Sequence, residues 1–277
     1  MATEAELVDK LSKRIGDYQE FTTTSTGLDT TIVSTDIGGE DNDNFITPDH
    51  TWFKFTDGTL AGEEQLGLSK SGNTITLANS YSGTTPSGAT VQRHALFSGA
   101  QKATAINDAL DELYPLVHRQ LVVETTLVAD QYLYDISGSG FFNDTPHQVW
   151  LQDDVNTNLT SIYRSWAVDW NSSGAPRLRI FRRPEAGRIL VLIGIRVPTL
   201  GSLLLGEEDI VVAQAAFNLF NGAVQRQPGD VAARFQRAAD YWERKLRTEK
   251  AIKSRRQPNI HQPMEWVSSG EFDTNFL

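Results

Sequence analysis

The sequence predicts an α+β fold, in which a helical bundle from both chain ends carries two inserted antiparallel β modules and an extended C-terminal tail. Three observations support this prediction. Apolar residues recur every three or four positions near both ends and again in the middle, which is typical of amphipathic helices. Two intervening regions are rich in Thr, Ser, Gly and Asp and alternate apolar with polar residues, as half-buried strands do. The last residues follow neither pattern, and a chain of 277 residues can bury a sizeable core.

Residues 1–20 predict the first helix of the bundle. Thr3 and Glu6 have the spacing of a capping box, in which each side chain bonds the backbone amide of the other residue. Gly16 is expected to loosen the last turn, because glycine accepts the left-handed conformation that ends many helices. The apolar stripe consists of Leu7, Val8, Leu11, Ile15 and Tyr18.

Residues 98–120 predict the central bundle helix, which is the most clearly periodic element of the chain. Ser98 and Gln101 have the spacing of a second capping box. Asp108 and Asp111 fall towards the face opposite the apolar stripe, as expected for a helix with one buried side. That stripe consists of Ala103, Ile106, Leu110, Leu113 and Val117.

Residues 21–97 and 121–204 predict the two β modules. Turn signals such as Asp57-Gly58 separate short alternating runs. The alternating run at 131–136 is expected to pair with 121–127 as a hairpin. The other predicted strands are residues 51–55, 73–77, 90–93, 148–151, 161–168, 177–181 and 189–197.

Residues 205–257 predict the last two bundle helices. The acids Glu207, Glu208 and Asp209 suit the positive end of the first helix dipole, and Asp230 is expected to cap the second helix. The predicted buried face of the first helix is Val212, Ala213, Ala216, Phe217, Phe220 and Val224. That of the second is Val231, Phe235, Ala238, Trp242 and Leu246.

Charge is unevenly distributed along the chain, whose formal net charge is −10. Residues 1–100 contain six Lys or Arg against fourteen Asp or Glu, whereas residues 230–256 contain nine against four. The basic end meets either an acidic partner, such as the acidic end of a neighbouring copy, or only solvent. Its predicted interface residues are Arg234, Arg237, Arg244, Lys245, Arg247 and Lys250.

Residues 258–277 predict an extended C-terminal tail, because Pro258 and Pro263 stop the preceding helix. Disordered segments seldom contain many large apolar side chains, so those of the tail need a surface that covers them. The tail therefore packs on its own chain or inserts into a partner, and the sequence leaves both possibilities open. Its apolar residues are Ile260, Met264, Trp266, Val267, Phe272, Phe276 and Leu277.

The sequence lacks the motifs of several kinds of enzyme and cofactor site. It has no phosphate-binding glycine loop, no dinucleotide-binding glycine motif and no Gly-x-Ser-x-Gly elbow. The absence of cysteine excludes disulfides, thiolate metal sites and a cysteine nucleophile. We interpret the five scattered histidines as surface or structural side chains, and Asp41-Asn42-Asp43 lacks the glycine and glutamate of a calcium loop. We expect no enzyme activity, cofactor or metal, and no membrane span, since no run of about 18 apolar residues exists.

One stretch of the chain combines a strand, a helix and further strand-like residues in a distinctive order. Residues 88–98, GATVQRHALFS, lead into the predicted central helix, which contains ATAINDAL at 103–110. Strand-like residues around 126–127 and 132–136 follow. This stretch resembles the head-to-tail adaptor (connector) proteins of tailed bacteriophages. The layout is also similar to these adaptors, with helices at both ends, β insertions and an extended tail.

The resemblance implies a structural virion protein at the neck between head and tail, assembled in the host cytoplasm. Such adaptors form a ring, usually of twelve copies, that joins the portal to tail or nozzle proteins and lines the DNA passage. The apolar tail residues given above would then be portal-binding anchors. DNA would pass an acidic lumen without specific binding, because phosphate contacts need Lys or Arg.

Two other functions are consistent with the sequence. A tail-fibre or baseplate structural protein with carbohydrate-binding β modules would use Trp52, Trp150, Trp166 and Trp170 as sugar platforms, although such aromatics on strands are more often core. A hydrolase in the β region would need carboxylates that only folding brings together.

Overall fold

The structure is a computed structural model, and it divides the chain into two compact units. One unit contains the described residues of Leu110–Glu207. The other contains those of Ala5–Ala109 and those from Glu208 onwards. The residues described by the structure are 3–41, 45–46, 50–152, 159–162, 166–181, 186–204, 206–226 and 229–256.

The unit that includes Ala5–Ala109 contains a six-stranded antiparallel sheet, which we call the barrel sheet. Its strands are β1 (Gln19–Thr22), β2 (Thr31–Val33), β3 (Trp52–Phe55), β4 (Glu64–Ser71), β5 (Thr74–Leu77) and β6 (Thr90–His94). They are hydrogen-bonded in the order β1-β6-β3-β4-β5-β2. An isolated antiparallel bridge between Ser25 and Val33 brings β2 back to the chain just after β1. The two edges of the sheet therefore meet, and the sheet curls into a partly closed barrel.

Four α-helices lie in the described residues. They are α1 (Glu4–Ile15), α2 (Gly99–Glu112), α3 (Glu207–Arg226) and α4 (Gly229–Arg256). Residues 210–216 of α3 are all buried, which is the pattern of a helix surrounded by other elements. Lys10 on α1 pairs with Glu208 at 2.8 Å and with Asp209 at 2.9 Å on α3. The acids at the start of α3 thus form ion pairs with Lys10 and also interact favourably with the helix dipole.

The unit that includes Leu110–Glu207, which we call the second unit, consists mainly of two antiparallel sheets. Its strands are β7 (Arg119–Thr126), β8 (Leu133–Asp135), β9 (Gln148–Gln152), β10 (Leu159–Ile162), β11 (Trp166–Trp170), β12 (Pro176–Ile180) and β13 (Ile189–Arg196). One sheet has the order β10-β9-β13-β7 and the other has the order β11-β12-β8. The expected hairpin between residues 121–127 and 131–136 is wrong, because β7 pairs with β13 and β8 pairs with β12.

The expectation of a helical bundle with inserted β modules is also wrong. Phe53, Phe55 and Val91 belong to a core of the barrel sheet that contains no residue of the four helices given above. Leu178 and Leu192 belong to an equivalent core of the second unit, again without a residue of the four helices. The sheets of each unit therefore bury their apolar faces in a core of that unit, so the fold is mixed and built mainly around antiparallel sheets. Helical periodicity can be recognised within one segment, whereas the joint core of short strands depends on pairing between distant segments.

Several local predictions are confirmed. Gln101 donates its amide to the Ser98 Oγ at 3.1 Å, and Ser98 donates its amide to the Gln101 Oε1 at 2.9 Å, which completes the capping box. The strands predicted at 51–55, 73–77, 90–93, 148–151, 177–181 and 189–197 are present, within one residue at their ends. The single strand predicted at 161–168 is wrong, because this stretch is divided between β10 of one sheet and β11 of the other. Three strands were not predicted: β1 and β2 are very short, and β4 contains a glycine and a lysine that interrupt alternation.

Candidate interaction surface

The start of helix α2 is fixed by a buried charge cluster, which we define as Asp17, Glu64, His94 and Lys102. Gly16 ends α1 in the left-handed conformation, with φ at +72°. The Asp17 amide then donates to the Ser12 carbonyl at 2.9 Å, and the Gly16 amide donates to the Lys13 carbonyl at 3.3 Å. This pair of bonds is a Schellman motif, which turns the chain sharply at the end of a helix. The turn directs Asp17 into the interior, where it is 1% exposed.

The Asp17 carboxylate binds the segment between β6 and α2. It accepts the amide of Leu96 at 2.9 Å, the amide of Phe97 at 3.0 Å, and the amide of Ala95. Its Oδ2 also lies 2.9 Å from the Lys102 Nζ. Charge-assisted hydrogen bonds of this kind are the strong ones in proteins, so residues 95–102 are held firmly.

Lys102 has two further acceptors. Its Nζ lies 2.8 Å from the His94 Nδ1 and 3.4 Å from the Asp17 carbonyl oxygen. Burial, together with the nearby ammonium, lowers the pKa of His94 to about 4, and burial lowers the pKa of Lys102. The imidazole is therefore neutral at pH 7. Its Nδ1 accepts from the ammonium, so its proton is on Nε2.

Glu64 completes the cluster at the first turn of α2. Its two carboxylate oxygens accept the Gly99 amide at 2.8 and 2.9 Å, where the positive end of the helix dipole favours a negative charge. Burial raises the pKa of Glu64. The His94 Nε2 lies 4.0 Å from the Glu64 Oε1 and has no hydrogen-bond partner among the residues that the structure describes. Asp17, His94 and Lys102 are buried in contact with one another, and Glu64 is partly buried at the start of the helix. Such an arrangement positions a helix.

Residues 95–97 and α2 form one wall of an open groove, which we call the aromatic groove. Its volume is about 890 Å³, and α3 and α4 form the other walls. The rings of Phe97, Phe220 and Phe235 meet in it, with centroids 5.4 to 6.2 Å apart. All the lining residues belong to the same unit. An open apolar groove of this size is typical of an interaction site.

Basic side chains lie along the groove. Arg226 and Arg234 both line it and are exposed, and Asp108 is the one acid among the described lining residues. Val231, which was expected to be buried, also lines the groove and is 46% exposed. The prediction failed for Val231 because the helix period places it at the edge of the buried stripe, where only a neighbouring element could cover it.

Helix α4 has an exposed stripe that combines basic and apolar side chains, which we call the α4 stripe. With about 100° of rotation per residue, Arg234, Tyr241 and Ile252 lie along one line of the helix, and Arg237 and Arg244 lie beside it. Tyr241 is 53% exposed and Ile252 is 41% exposed. The three arginines are exposed as well. Large apolar groups among arginines are typical of protein interfaces rather than of a solvated face.

The other basic residues predicted for this face have partners within the chain. The Arg247 Nη2 lies 2.6 Å from the Glu243 Oε1, and the Lys245 Nζ lies 4.8 Å from the centre of the Trp242 ring. Lys250 donates to the Gln214 side chain on α3 at 3.0 Å. Asp230, expected as the cap of α4, lies within its first turn instead.

The portal-binding tail residues lie outside the described part of the chain, so the structure places none of them. These residues are Ile260, Met264, Trp266, Val267, Phe272, Phe276 and Leu277.

The four tryptophans considered as sugar platforms are divided between the two units. Trp52 lines the aromatic groove of one unit, whereas Trp150, Trp166 and Trp170 belong to the other unit. Trp166 packs against the core of that unit, and Trp150 is half-buried with its Nε1 donating to Gln148 at 3.1 Å. Trp170 is 58% exposed. The tryptophans therefore serve different local roles.

Neighbouring carboxylates also have separate partners. Glu63 accepts the Ser82 amide at 2.8 Å, whereas Glu64 binds Gly99. Over the described residues, no group of three or more His, Asp or Glu side chains is arranged to hold a metal ion. No helix in the described ranges is long and apolar enough to cross a bilayer.

The sequence matches no protein-family model, and comparison with curated protein sequences finds no relative.

Proposed function

We propose that this protein is a structural virion protein that forms a ring adaptor between the portal of a phage head and the tail. The observation that carries the proposal is the α4 stripe, in which exposed arginines alternate with large apolar side chains on a chain of net charge −10. Such a surface suits a protein partner with acidic groups. The resemblance of residues 88–136 to phage adaptors supports the same function.

The barrel sheet of the same unit offers a complementary surface. Glu20, Asp36, Glu40 and Asp57 are exposed on it or on its turns. A contact between the α4 stripe of one copy and these acids of the next copy is heterologous, and repetition of such a contact closes a ring when the rotation permits. Charge complementarity would set the orientation and speed the encounter. The resemblance implies twelve copies.

The remaining parts of the proposal concern the partners. The apolar residues of the tail would anchor the ring in the portal, since buried aromatic side chains supply much of the energy of protein interfaces. Tail or nozzle proteins would bind the opposite side of the ring. DNA would pass through the lumen without specific binding, because acidic surfaces do not neutralise phosphates.

The test is the assembly state of the full chain, alone and with portal rings, by native mass spectrometry and by imaging of particle necks. Arg244→Glu should reduce the ring population at least tenfold. Arg247→Glu is the matched control, because it makes the same charge change on the same helix away from the α4 stripe. A chain that stays monomeric with portal rings and assembled heads would overturn the proposal, as would equal effects of the two substitutions.

A further inference from the structure

We propose that in the free protein the aromatic groove holds the chain's own C-terminal segment, residues 258–277. This inference concerns the isolated chain and does not depend on ring formation or on the portal. It rests on three independent features: the chemistry of the groove, its charge, and the length of chain that follows α4.

The groove has the surface that an aromatic segment needs. Phe97, Phe220 and Phe235 line a volume of about 890 Å³, which is in the range that buries a ligand with several rings. Phe97 and Phe220 are themselves buried at its base, whereas the lining side chains of Leu96 and Val231 are exposed. The segment contains Trp266, Phe272 and other large apolar residues within a short length of chain. Burial of one such ring removes roughly 150–250 Å² of surface from water. The groove therefore provides an apolar surface on which the aromatic side chains of the segment can be buried.

Their charges are complementary. Arg226 and Arg234 lie on the groove. The segment contains Glu265, Glu271 and Asp273 and has no Lys or Arg. Acidic residues flank the aromatic residues of the segment in sequence, so rings could enter the groove while carboxylates remain near the guanidinium groups. Such pairs add orientation more than affinity.

The length of chain permits the contact within one molecule. Ala238 lines the groove and α4 ends at Arg256, so roughly 27 Å of helix separates them at 1.5 Å per residue. An extended chain advances about 3.3 Å per residue, so about eight residues after Arg256 suffice for the return. Trp266 then comes level with the groove, and Phe272 can follow along it. A tethered segment also has an effective concentration in the millimolar range, which favours the same chain over a second copy.

The chain has no cysteine, so spin labels attach only to cysteines that are introduced for a distance measurement. Thr104 lies on the groove and is exposed, and Ser268 lies within the segment. Spin labels on the full chain with Thr104→Cys and Ser268→Cys should give a narrow distance distribution, short enough to match a few helix widths, roughly 20–30 Å. Adding Trp266→Ser and Phe272→Ser should broaden it and lengthen its mean. Leu28→Ser, which removes a 67% exposed leucine outside the groove, is the control and should change nothing.

A second pair of variants tests the charge contribution. Arg226→Glu with Arg234→Glu should broaden the distribution, whereas Arg247→Glu should not. Unchanged thermal melting shows that each variant is folded. A broad distance distribution in the parent chain overturns the proposal. A distance distribution that is unchanged by Trp266→Ser and Phe272→Ser overturns it as well. A short distance that also appears on mixing singly labelled chains would instead assign the groove to the segment of a second copy. None of these outcomes depends on whether rings form with the portal.

Discussion

Asp17 and Lys102 form an ion pair in which both side chains are fully buried and the Oδ2 and Nζ atoms lie 2.9 Å apart. Asp17 also accepts backbone amides of residues 95–97, and Lys102 also donates to the imidazole of His94. The pair therefore joins the end of α1 to the segment that enters α2. That segment forms a wall of the aromatic groove, so the shape of the groove depends on this buried contact.

Loss of the Asp17 charge should destabilise the protein strongly. We expect Asp17→Asn to lower the free energy of unfolding by about 3–5 kcal/mol, because the Lys102 ammonium stays buried without its counter-ion. Lys102→Met should lower the free energy of unfolding by less, since the Asp17 carboxylate keeps its backbone amide donors. Urea denaturation measures both losses. Asp108→Asn, on the exposed side of α2, is the control and should stay within about 0.5 kcal/mol. Equal losses for the two buried substitutions would contradict this account.

His94 should make stability depend on pH. Its folded pKa of about 4 lies below the ordinary value of 6.5, so between these values the unfolded chain binds a proton that the folded chain excludes. Stability is then lost as the pH falls through this window, by an amount on the order of 3 kcal/mol. The raised pKa of Glu64 acts in the opposite direction, because the folded carboxyl gains its proton at a higher pH than the unfolded one.

The variant His94→Asn isolates this effect. An asparagine carbonyl can replace Nδ1 as the acceptor for Lys102, but it does not titrate. We expect the melting temperature of the variant to fall less than that of the parent between pH 6.5 and 4.5. The comparison uses the change with pH, so a general destabilisation of the variant does not affect it. If the melting temperatures of the parent and the variant fall equally between pH 6.5 and 4.5, His94 does not control the pH dependence of stability.

Gly16 should resist substitution because of its backbone conformation. Its φ of +72° is strained for a residue with a side chain, although a Cβ there would meet open space. We expect Gly16→Ala to lower the free energy of unfolding by about 1–2 kcal/mol, and Gly16→Asn to lower it less. Gly39→Ala is the matched control, since a Cβ at Gly39 also meets open space and its φ is not positive. Similar stabilities of the two alanine variants would contradict the assigned role.

Gly194 should resist substitution for a steric reason. A Cβ at this position of β13 would lie 2.8 Å from the Phe141 Cε1, and Phe141 is buried in the core of the second unit. We expect Gly194→Ala to cost about 1–3 kcal/mol, because the ring must move within a packed core. Gly138→Ala, where a Cβ meets open space, should be nearly neutral. Hydrogen exchange of β13 amides would report the loss within this unit.

The candidate surface could be predicted in part. The basic residues of α4 follow from composition, and their helical positions follow from the period of the element. Which of them are exposed beside Tyr241 and Ile252 depends on how α3 covers the other side of α4. The buried charge cluster was not predicted, because Asp17, Glu64 and Lys102 come from separate segments. No spacing in the chain connects them, and the only local signal was the glycine that precedes Asp17.

The sequence by itself determined the local elements of this protein. The Ser98–Gln101 capping box, the helical stripes and most of the strands depend on residues within a few positions of one another, so their patterns are visible in the chain. Only the tertiary structure decided how those elements combine. It paired β7 with β13 rather than with β8, and it curled the barrel sheet around a core of its own. Strand pairing and buried ion pairs join distant segments, and the free energy that selects them is set by packing and burial, which one-dimensional patterns do not contain.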